Sequence, residues 1–190
     1  MPVMEQRELK PTPEAEALYR RCIALLNEEF TRGQTVERRA EVVRDELFQI
    51  YLGRPHGGKM NATLSSELGS NVLTEAFDPR NATLGSEYLD DIDSVQFAPR
   101  KPLIWFWQMF DRSPLGLNLW LGLRFRCMLG RHIFRSVGKG VKIHRNVEFT
   151  YGYNLTIEDN CTILRGAYID DRKEMVVRAG TTIAEGERVG

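Results

Sequence analysis

The sequence predicts a mainly β protein in which residues 136–190 form a left-handed parallel β-helix, preceded by an α-helical and irregular N-terminal extension. Three observations predict this fold. Apolar residues recur every six positions from Val137 onward, the series repeats with a period of 20 residues, and Gly or Asn stands three positions after many of the apolar residues. One structural unit repeated at a fixed short period is typical of a solenoid.

The apolar residues of the repeat fall into three columns of three: Val137, Ile157 and Val177; Ile143, Ile163 and Ile183; Phe149, Ile169 and Val189. Each unit supplies a short strand with an inward apolar residue, and the same column of the next coil stacks above it. Two extra residues per coil fit widened corners near 155–156 and 175–176. A β-sandwich is the alternative, but its turns are spaced about 8–12 residues apart and would not keep this phase.

Turn-forming residues punctuate the same repeat, because tight corners often require a positive φ that Gly and Asn adopt at little cost. They are Gly140, Asn146, Gly152, Asn160, Gly166, Gly180 and Gly186.

Residues 1–55 predict a helical hairpin. Thr12 followed by Pro13 predicts the start of the first helix, and Thr35 predicts the start of the second. Gly33 and Gly53 end them. The apolar stripes are Leu18, Cys22 and Leu25 in the first helix, and Val36, Ala40, Val43, Leu47 and Ile50 in the second. The hairpin is expected to pack on itself or on a neighbouring subunit.

Two segments of opposite charge connect the hairpin to the repeat. Residues 56–101 are punctuated by Gly, Pro, Asn and Ser, and they predict an irregular acidic segment. Residues 102–135 are rich in aromatic residues and arginine, and their uncharged runs are too short for the ~20 residues of a membrane span. The latter segment predicts either helices packed on the following domain or a helix lying on an anionic membrane.

The composition argues against a disulfide-bonded, metal-binding or secreted protein. The formal net charge is zero, and the three cysteines, Cys22, Cys127 and Cys161, are too far apart to suggest a disulfide framework or a zinc site. We therefore expect reduced thiols and no metal. The first ten residues lack an apolar signal region, so we expect a cytoplasmic protein with, at most, a peripheral membrane contact through 102–135.

Within the repeat, the segments Tyr151-Gly-Tyr-Asn-Leu-Thr-Ile-Glu-Asp-Asn and Ile169-Asp-Asp resemble the hexapeptide-repeat O-acyltransferases. The resemblance points to the maltose and galactoside acetyltransferases and the sugar acyltransferases of polysaccharide biosynthesis. It implies a homotrimer that transfers an acyl group from acetyl-CoA or another acyl-CoA to a saccharide hydroxyl. Coenzyme A would be a co-substrate, and no cofactor would be bound permanently.

The resemblance also implies an acceptor site at Asp170 and Asp171, with Tyr151 and Asn154 as weaker members. Carboxylates can accept two hydrogen bonds from a sugar diol. The alternative is that the two aspartates belong to a solvated turn. The asparagine that the family often carries shortly before this pair is not evident, because Arg165-Gly166 stands there.

The catalytic residue is unknown. The family uses a histidine as general base on the acceptor hydroxyl, and this histidine is expected beyond Gly190. The chain carries only His56, His132 and His144, of which His144 is a weak substitute. We therefore expect a chain that stops before its catalytic histidine and is inactive alone.

Other functions stay open or are disfavoured by the sequence. A non-catalytic β-helix that binds a partner or a membrane surface is the second hypothesis. A γ-carbonic-anhydrase-like zinc site would need three histidines across the coils, and the repeat holds only His144. Nucleic-acid binding is disfavoured, because the leucine density of the basic stretch indicates burial.

Overall fold

A computed structural model of the chain describes residues 9–32, 35–53, 55–56 and 68–190. Helices occupy the N-terminal two thirds, and short parallel strands follow. The helices are α1 (Pro13–Thr31), α2 (Val36–Leu52), α3 (Leu68–Glu75), α4 (Ser94–Phe97), α5 (Lys101–Arg112) and α6 (Leu119–Ile133), with a 3₁₀ turn at Gly85–Tyr88.

Among the described residues, nine strands of two or three residues form three parallel sheets, ordered β1-β4-β7, β2-β5-β8 and β3-β6-β9. Each ladder joins residues 20 apart, and all nine predicted apolar residues pair within their predicted columns. The strands are β1 (Ser136–Val137), β2 (Lys142–Ile143), β3 (Glu148–Phe149), β4 (Leu155–Ile157), β5 (Thr162–Ile163), β6 (Tyr168–Ile169), β7 (Met175–Val177), β8 (Thr182–Ile183) and β9 (Arg188–Val189).

The corners of the coils contain the predicted turn residues, and all seven of them have a positive φ. Gly152 combines this conformation (φ 82°) with a close contact to the helical part. A Cβ placed on Gly152 would lie 2.6 Å from Cγ2 of Ile133, the last residue of α6. A side chain at position 152 would therefore push the end of α6 away from the first coil.

The two N-terminal helices begin at the predicted caps. The Thr12 hydroxyl accepts a hydrogen bond from the amide of Ala15, and the Thr35 hydroxyl accepts one from Arg38. Gly53 ends α2 in the left-handed conformation. The main contacts of α1 are with α6 and those of α2 are with α5, so the hairpin packs on the later helices.

The predicted stripe of α2 is largely buried, whereas that of α1 is not. Ala40, Val43 and Leu47 are fully buried, but Leu18 and Leu25 are 65% and 52% exposed. The face of α1 that packs instead carries Tyr19, Ile23, Leu26 and Phe30. This second stripe has the same helical spacing, and only the contact with α6 selects between the two.

In the described part of the chain, helix predominates over strand. The description as mainly β therefore applies to the C-terminal part alone. Within 102–135, the aromatic rings lie in the core: Phe106, Trp107, Phe110 and Phe125 are at most 2% exposed. Packing, one of the two arrangements that the sequence allowed, thus accounts for these aromatic residues.

A buried ion pair joins the helical part to the first coil. Arg126 Nε lies 2.6 Å from Oδ1 of Asp111, and both side chains are almost completely buried. The other oxygen of Asp111 accepts a hydrogen bond of 2.7 Å from the amide of Asn146, in the corner between β2 and β3. The Trp107 indole adds a second link, donating to the carbonyl of Val147.

The segment 56–101 is less irregular than its composition predicts, because α3, the 3₁₀ turn and α4 lie within it. Phe77, Leu84 and Phe97 from this segment are buried in the core. Residues 57–67 of the predicted acidic segment, and Gly33, lie outside the described residues. No helix in the described part of the chain is both long and apolar enough to cross a bilayer.

Candidate functional site

An open groove, here called the Asp170 groove, runs beside the outward face of the third sheet, β3-β6-β9. It has two connected parts, of about 370 and 900 Å³, which share Leu89, Thr150 and Tyr168. The smaller part also contains Asp170, Arg172 and Arg188, and the larger part extends toward α5. Because outward side chains alternate with inward ones along each strand, the groove contains residues adjacent to the apolar column.

A polar cluster lines the smaller part of the groove. The Thr150 hydroxyl lies 2.9 Å from the Tyr168 hydroxyl and 3.2 Å from Oδ1 of Asp170. Arg172 binds both oxygens of Asp170, at 3.0 and 2.7 Å. The guanidinium carbon of Arg188 lies 4.6 Å from the centre of the Tyr168 ring. The cluster thus offers one carboxylate and two hydroxyls to a ligand with several hydroxyl groups.

The Asp170 carboxylate is firmly ionised. Its hydrogen bonds with Arg172, with a further one from Thr150, lower the pKa of Asp170 to about 2. A carboxylate with so low a pKa is a poor base at neutral pH. Asp170 is therefore suited to accept hydrogen bonds from a ligand and not to remove a proton from it.

The variant Arg172→Gln is expected to raise the pKa of Asp170 from about 2 toward 3.8, its ordinary value, because the charged donor that stabilises the ionised form is removed. In the unchanged protein the lowered pKa stabilises the fold at neutral pH, and this stabilisation is lost as the pH falls toward 2. A carbon-detected NMR titration of the side-chain carboxyls measures the shift. Lys173→Gln, at the adjacent exposed position, should leave this pKa unchanged, and an equal shift in both variants would contradict the assignment.

Asp171, the second aspartate of the pair, lies in the interior. Its side chain is 0% exposed, and its oxygens accept hydrogen bonds from the amides of Tyr151 (2.7 Å) and Asn154 (3.3 Å). Burial raises the pKa of Asp171, although these backbone donors oppose the shift. The side-chain amide of Asn154 donates back to the backbone carbonyl of Asp171. Both residues therefore hold the turn between β3 and β4.

Tyr151 is also buried, and its hydroxyl donates to the carboxylate of Asp91. Burial, followed by this bond to a carboxylate, raises the pKa of Tyr151 above its usual range. The Tyr151 ring stacks on Tyr153 at 5.1 Å, and the Tyr153 hydroxyl accepts from the amide of Asp93. Tyr151 thus fixes the segment around residue 91 on the first coil, and only Asp170 of the four predicted residues lines the groove.

The three histidines are dispersed. His144 follows β2, at the corner between the second and third sheets, whereas Asp170 follows β6, on the far side of the third sheet. Burial, with Arg126 and Lys142 nearby, lowers the pKa of His144. His132 contacts Asn27 at 3.0 Å and joins α6 to α1, and His56 packs edge-on against Phe48. None of them lines the Asp170 groove.

The sequence did not single out Thr150, Tyr168, Arg172 and Arg188. A signal for two of them lay in the repeat itself, because Tyr168 and Arg188 pair in register directly before the inward residues Ile169 and Val189. The positions next to an apolar column form the outer face of a coil, but the repeat does not restrict which residue types stand there. Only the structure identifies which outward face is enclosed by the helical part.

Among the described residues, no group of three His, Cys, Asp or Glu side chains is arranged to hold a metal ion. All three cysteines are free thiols. The chain matches no family model, no curated protein and no solved structure.

Proposed function

We propose that residues 136–190 belong to the left-handed β-helix of an acyl-CoA-dependent O-acyltransferase, and that the Asp170 groove binds its saccharide or related hydroxyl acceptor. The observation that carries the proposal is an ionised carboxylate beside two hydroxyls in an open groove on a stack of parallel coils. The sequence resemblance supplies the reaction class, because a fold by itself does not fix a function.

In this proposal each groove residue has a binding role. Asp170 accepts a hydrogen bond from a hydroxyl of the acceptor, in addition to those it accepts from Arg172 and Thr150. Thr150 and Tyr168 can each donate or accept, so they tolerate either orientation of a second hydroxyl. Arg172 keeps Asp170 ionised and oriented. A separate general base, for which the family uses a histidine, removes the proton from the reacting hydroxyl.

The proposal includes the assembly and location that the resemblance implies. Acetyl-CoA or another acyl-CoA is the co-substrate, the working unit is a homotrimer, and the protein acts in the cytoplasm. Acyl transfer would break the thioester of the acyl-CoA, form an ester on the acceptor oxygen and release the free thiol of coenzyme A.

A second function is favoured by one observation: no histidine lines the Asp170 groove. In that case the coils form a saccharide-binding module without transfer activity. The two functions share the same groove and differ only in whether an acylated product appears.

The test is saturation-transfer-difference NMR with maltose and methyl β-galactoside, followed by mass spectrometry after addition of acetyl-CoA. Asp170→Ala is expected to weaken saccharide binding about tenfold or more, because a hydrogen bond to a charged group contributes ~1.5–3 kcal/mol. Glu185→Ala is the matched control. It also removes a carboxylate paired with an arginine, Arg165, on the outside of a coil.

Each outcome decides between the functions. Binding that Asp170→Ala weakens and Glu185→Ala does not supports the acceptor site. An acetylated product identifies a transferase, whereas saturable binding without product favours the binding module. Absence of saccharide binding by the unchanged protein, or equal loss in both variants, would overturn the assignment of the groove.

A further inference from the structure

A second groove, here called the α6 groove, lies on another side of the molecule. It has a volume of about 530 Å³ and is bordered by α1, α6 and the first coil. The lining residues are Arg20, Ile23, Ala24, Asn27, Leu123, Arg124, Cys127, Met128, Arg131, Gly138, Gly140, Val141 and Lys142.

The α6 groove is cationic. It is lined by Arg20, Arg124, Arg131 and Lys142 and by no acidic residue. Arg20 is ion-paired at 2.6 Å with Glu16, which does not line the groove. Arg20 and Arg124 are held in place against the Trp120 ring, with guanidinium carbons 5.1 and 3.8 Å from its centre. Arg131 and Lys142 are exposed and make no ion pair with any described residue. Such a groove concentrates a positive potential that attracts anionic groups.

The floor of the same groove is apolar. Ile23, Leu123, Met128 and Val141 contribute hydrocarbon surface beside the cations. Cations around an apolar floor match an amphiphilic anion, in which a phosphate is joined to an acyl chain. A nucleic acid matches less well, since single-stranded readers stack bases on exposed aromatic rings and the aromatic residues of α6 are buried.

Two exposed leucines lie at the start of α6, outside the lining of the groove. Leu117 and Leu119 are 62% and 59% exposed, at the entrance to α6. Leu119 and Leu123 are four residues apart and lie near one side of the helix, whereas Arg131 is rotated about 120° from Leu119 at 3.6 residues per turn. The distance from Leu119 to Arg131 is about 18 Å at 1.5 Å per residue. The exposed part of α6 thus begins with leucines on one side and ends at Arg131 on another, with Lys142 of β2 across the groove from it.

We propose that the surface formed by the α6 groove and the exposed leucines at the start of α6 docks the protein on an anionic phospholipid bilayer. Arg131 and Lys142 contact lipid phosphates, and Leu117 and Leu119 enter the boundary of the acyl chains. Surface-lying helices with cations on one side and leucines on another bind membranes in this way. The contact differs from one made by the aromatic residues of 102–135, whose rings pack inside the protein. It is independent of the function proposed for the Asp170 groove.

The experiment is co-sedimentation of the whole chain with two kinds of vesicle. One contains phosphatidylcholine with roughly 30% phosphatidylserine, which gives a negative surface potential, and the other contains phosphatidylcholine alone. The double variant Arg131→Glu/Lys142→Glu is expected to bind the anionic vesicles about 30-fold more weakly or worse. Lys10→Glu/Lys173→Glu carries the same change in net charge at exposed positions outside the groove. This control should lose little affinity.

A second pair of variants tests the leucines. Leu117→Ser/Leu119→Ser should also weaken binding, whereas Leu9→Ser/Val95→Ser removes two apolar side chains elsewhere that are even more exposed, and should not. Binding that is absent, equal on both kinds of vesicle, or lost equally in the control variants would overturn the proposal. Self-association abolished by Arg131→Glu/Lys142→Glu, without vesicle binding, would assign the surface to a second copy of the chain instead.

Discussion

Arg126→Met is expected to destabilise the protein by about 3–5 kcal/mol, the usual cost of removing one partner from a buried ion pair. The change leaves the Asp111 carboxylate without its cation, and it also removes the donor to the carbonyl of Gly116, which Arg126 contacts at 2.9 Å. For a chain of this length, the melting temperature should fall on the order of 10 °C. Urea denaturation followed by tryptophan fluorescence measures the loss.

The pH dependence gives an internal check on this variant. Burial raises the pKa of Asp111 even beside Arg126, and without the cation the pKa should rise further. A raised carboxyl pKa stabilises the fold at low pH, and this stabilisation is lost as the pH rises through the folded-state value. The deficit of Arg126→Met should therefore be smaller in mild acid than at neutral pH.

Arg112→Met is the matched control, because Arg112 is an exposed arginine at the end of the neighbouring helix α5. A surface change of this kind is expected within about 0.5 kcal/mol of the unchanged protein. The double variant Asp111→Leu/Arg126→Met should recover part of the loss, since no buried charge then remains unpaired. If Arg126→Met and Arg112→Met were equally stable, the pair would not join the helices to the coil.

Ile163→Ala is expected to cost roughly 2–5 kcal/mol, the range for truncating a fully buried aliphatic side chain. Ile163 is 0% exposed and stands in the middle of its column, paired with Ile143 on one side and Ile183 on the other. The cavity left by the change is therefore closed on both sides and cannot collapse easily. Chemical denaturation again provides the measurement.

Ile183→Ala makes the same chemical change in the same column, but among the described residues Ile183 pairs only with Ile163. It should cost clearly less than Ile163→Ala, because fewer packed atoms surround the truncated methyl groups. A cost that is equal, or larger at position 183, would contradict a continuous apolar column as the core of the coils.

The coils could be predicted in detail because their constraint is local and repeated. Every inward residue has the same environment as the one 20 positions away, so Ile143, Ile163 and Ile183 carry the same information three times. The turns repeat as well, and Asn146 adopts the positive φ that its position after Ile143 predicts. Each repeat of the pattern reduces the chance that the period is accidental.

The helical part was less predictable, because its packing depends on partners far apart in the chain. Helix α1 carries two apolar stripes with equally regular helical spacing, one with Leu18 and Leu25 and one with Leu26 and Phe30. Only the position of α6 decides which of the two is buried. The short helices α3 and α4 have too few residues to show a period. Composition alone therefore suggested an irregular segment.

Only part of the candidate site could be predicted from the sequence. Asp170 was identified from a short motif, and it does line a groove. Its neighbour Asp171 has the same chemistry but points inward and binds backbone amides. Adjacent residues of a strand or turn commonly face opposite sides, so a doubled aspartate gives one residue to the surface and one to the interior.

The 20-residue register of the ladders has a consequence for how such a chain can change length. An in-frame duplication or deletion of 20 residues within the coils keeps the register of the remaining pairs and alters the height of the stack by one strand spacing, about 4.8 Å. An insertion of another length that is not accommodated at a corner shifts inward residues such as Ile163 out of their column. Growth by whole tandem units is therefore the route open to this part of the gene, while the corners absorb the smaller variations.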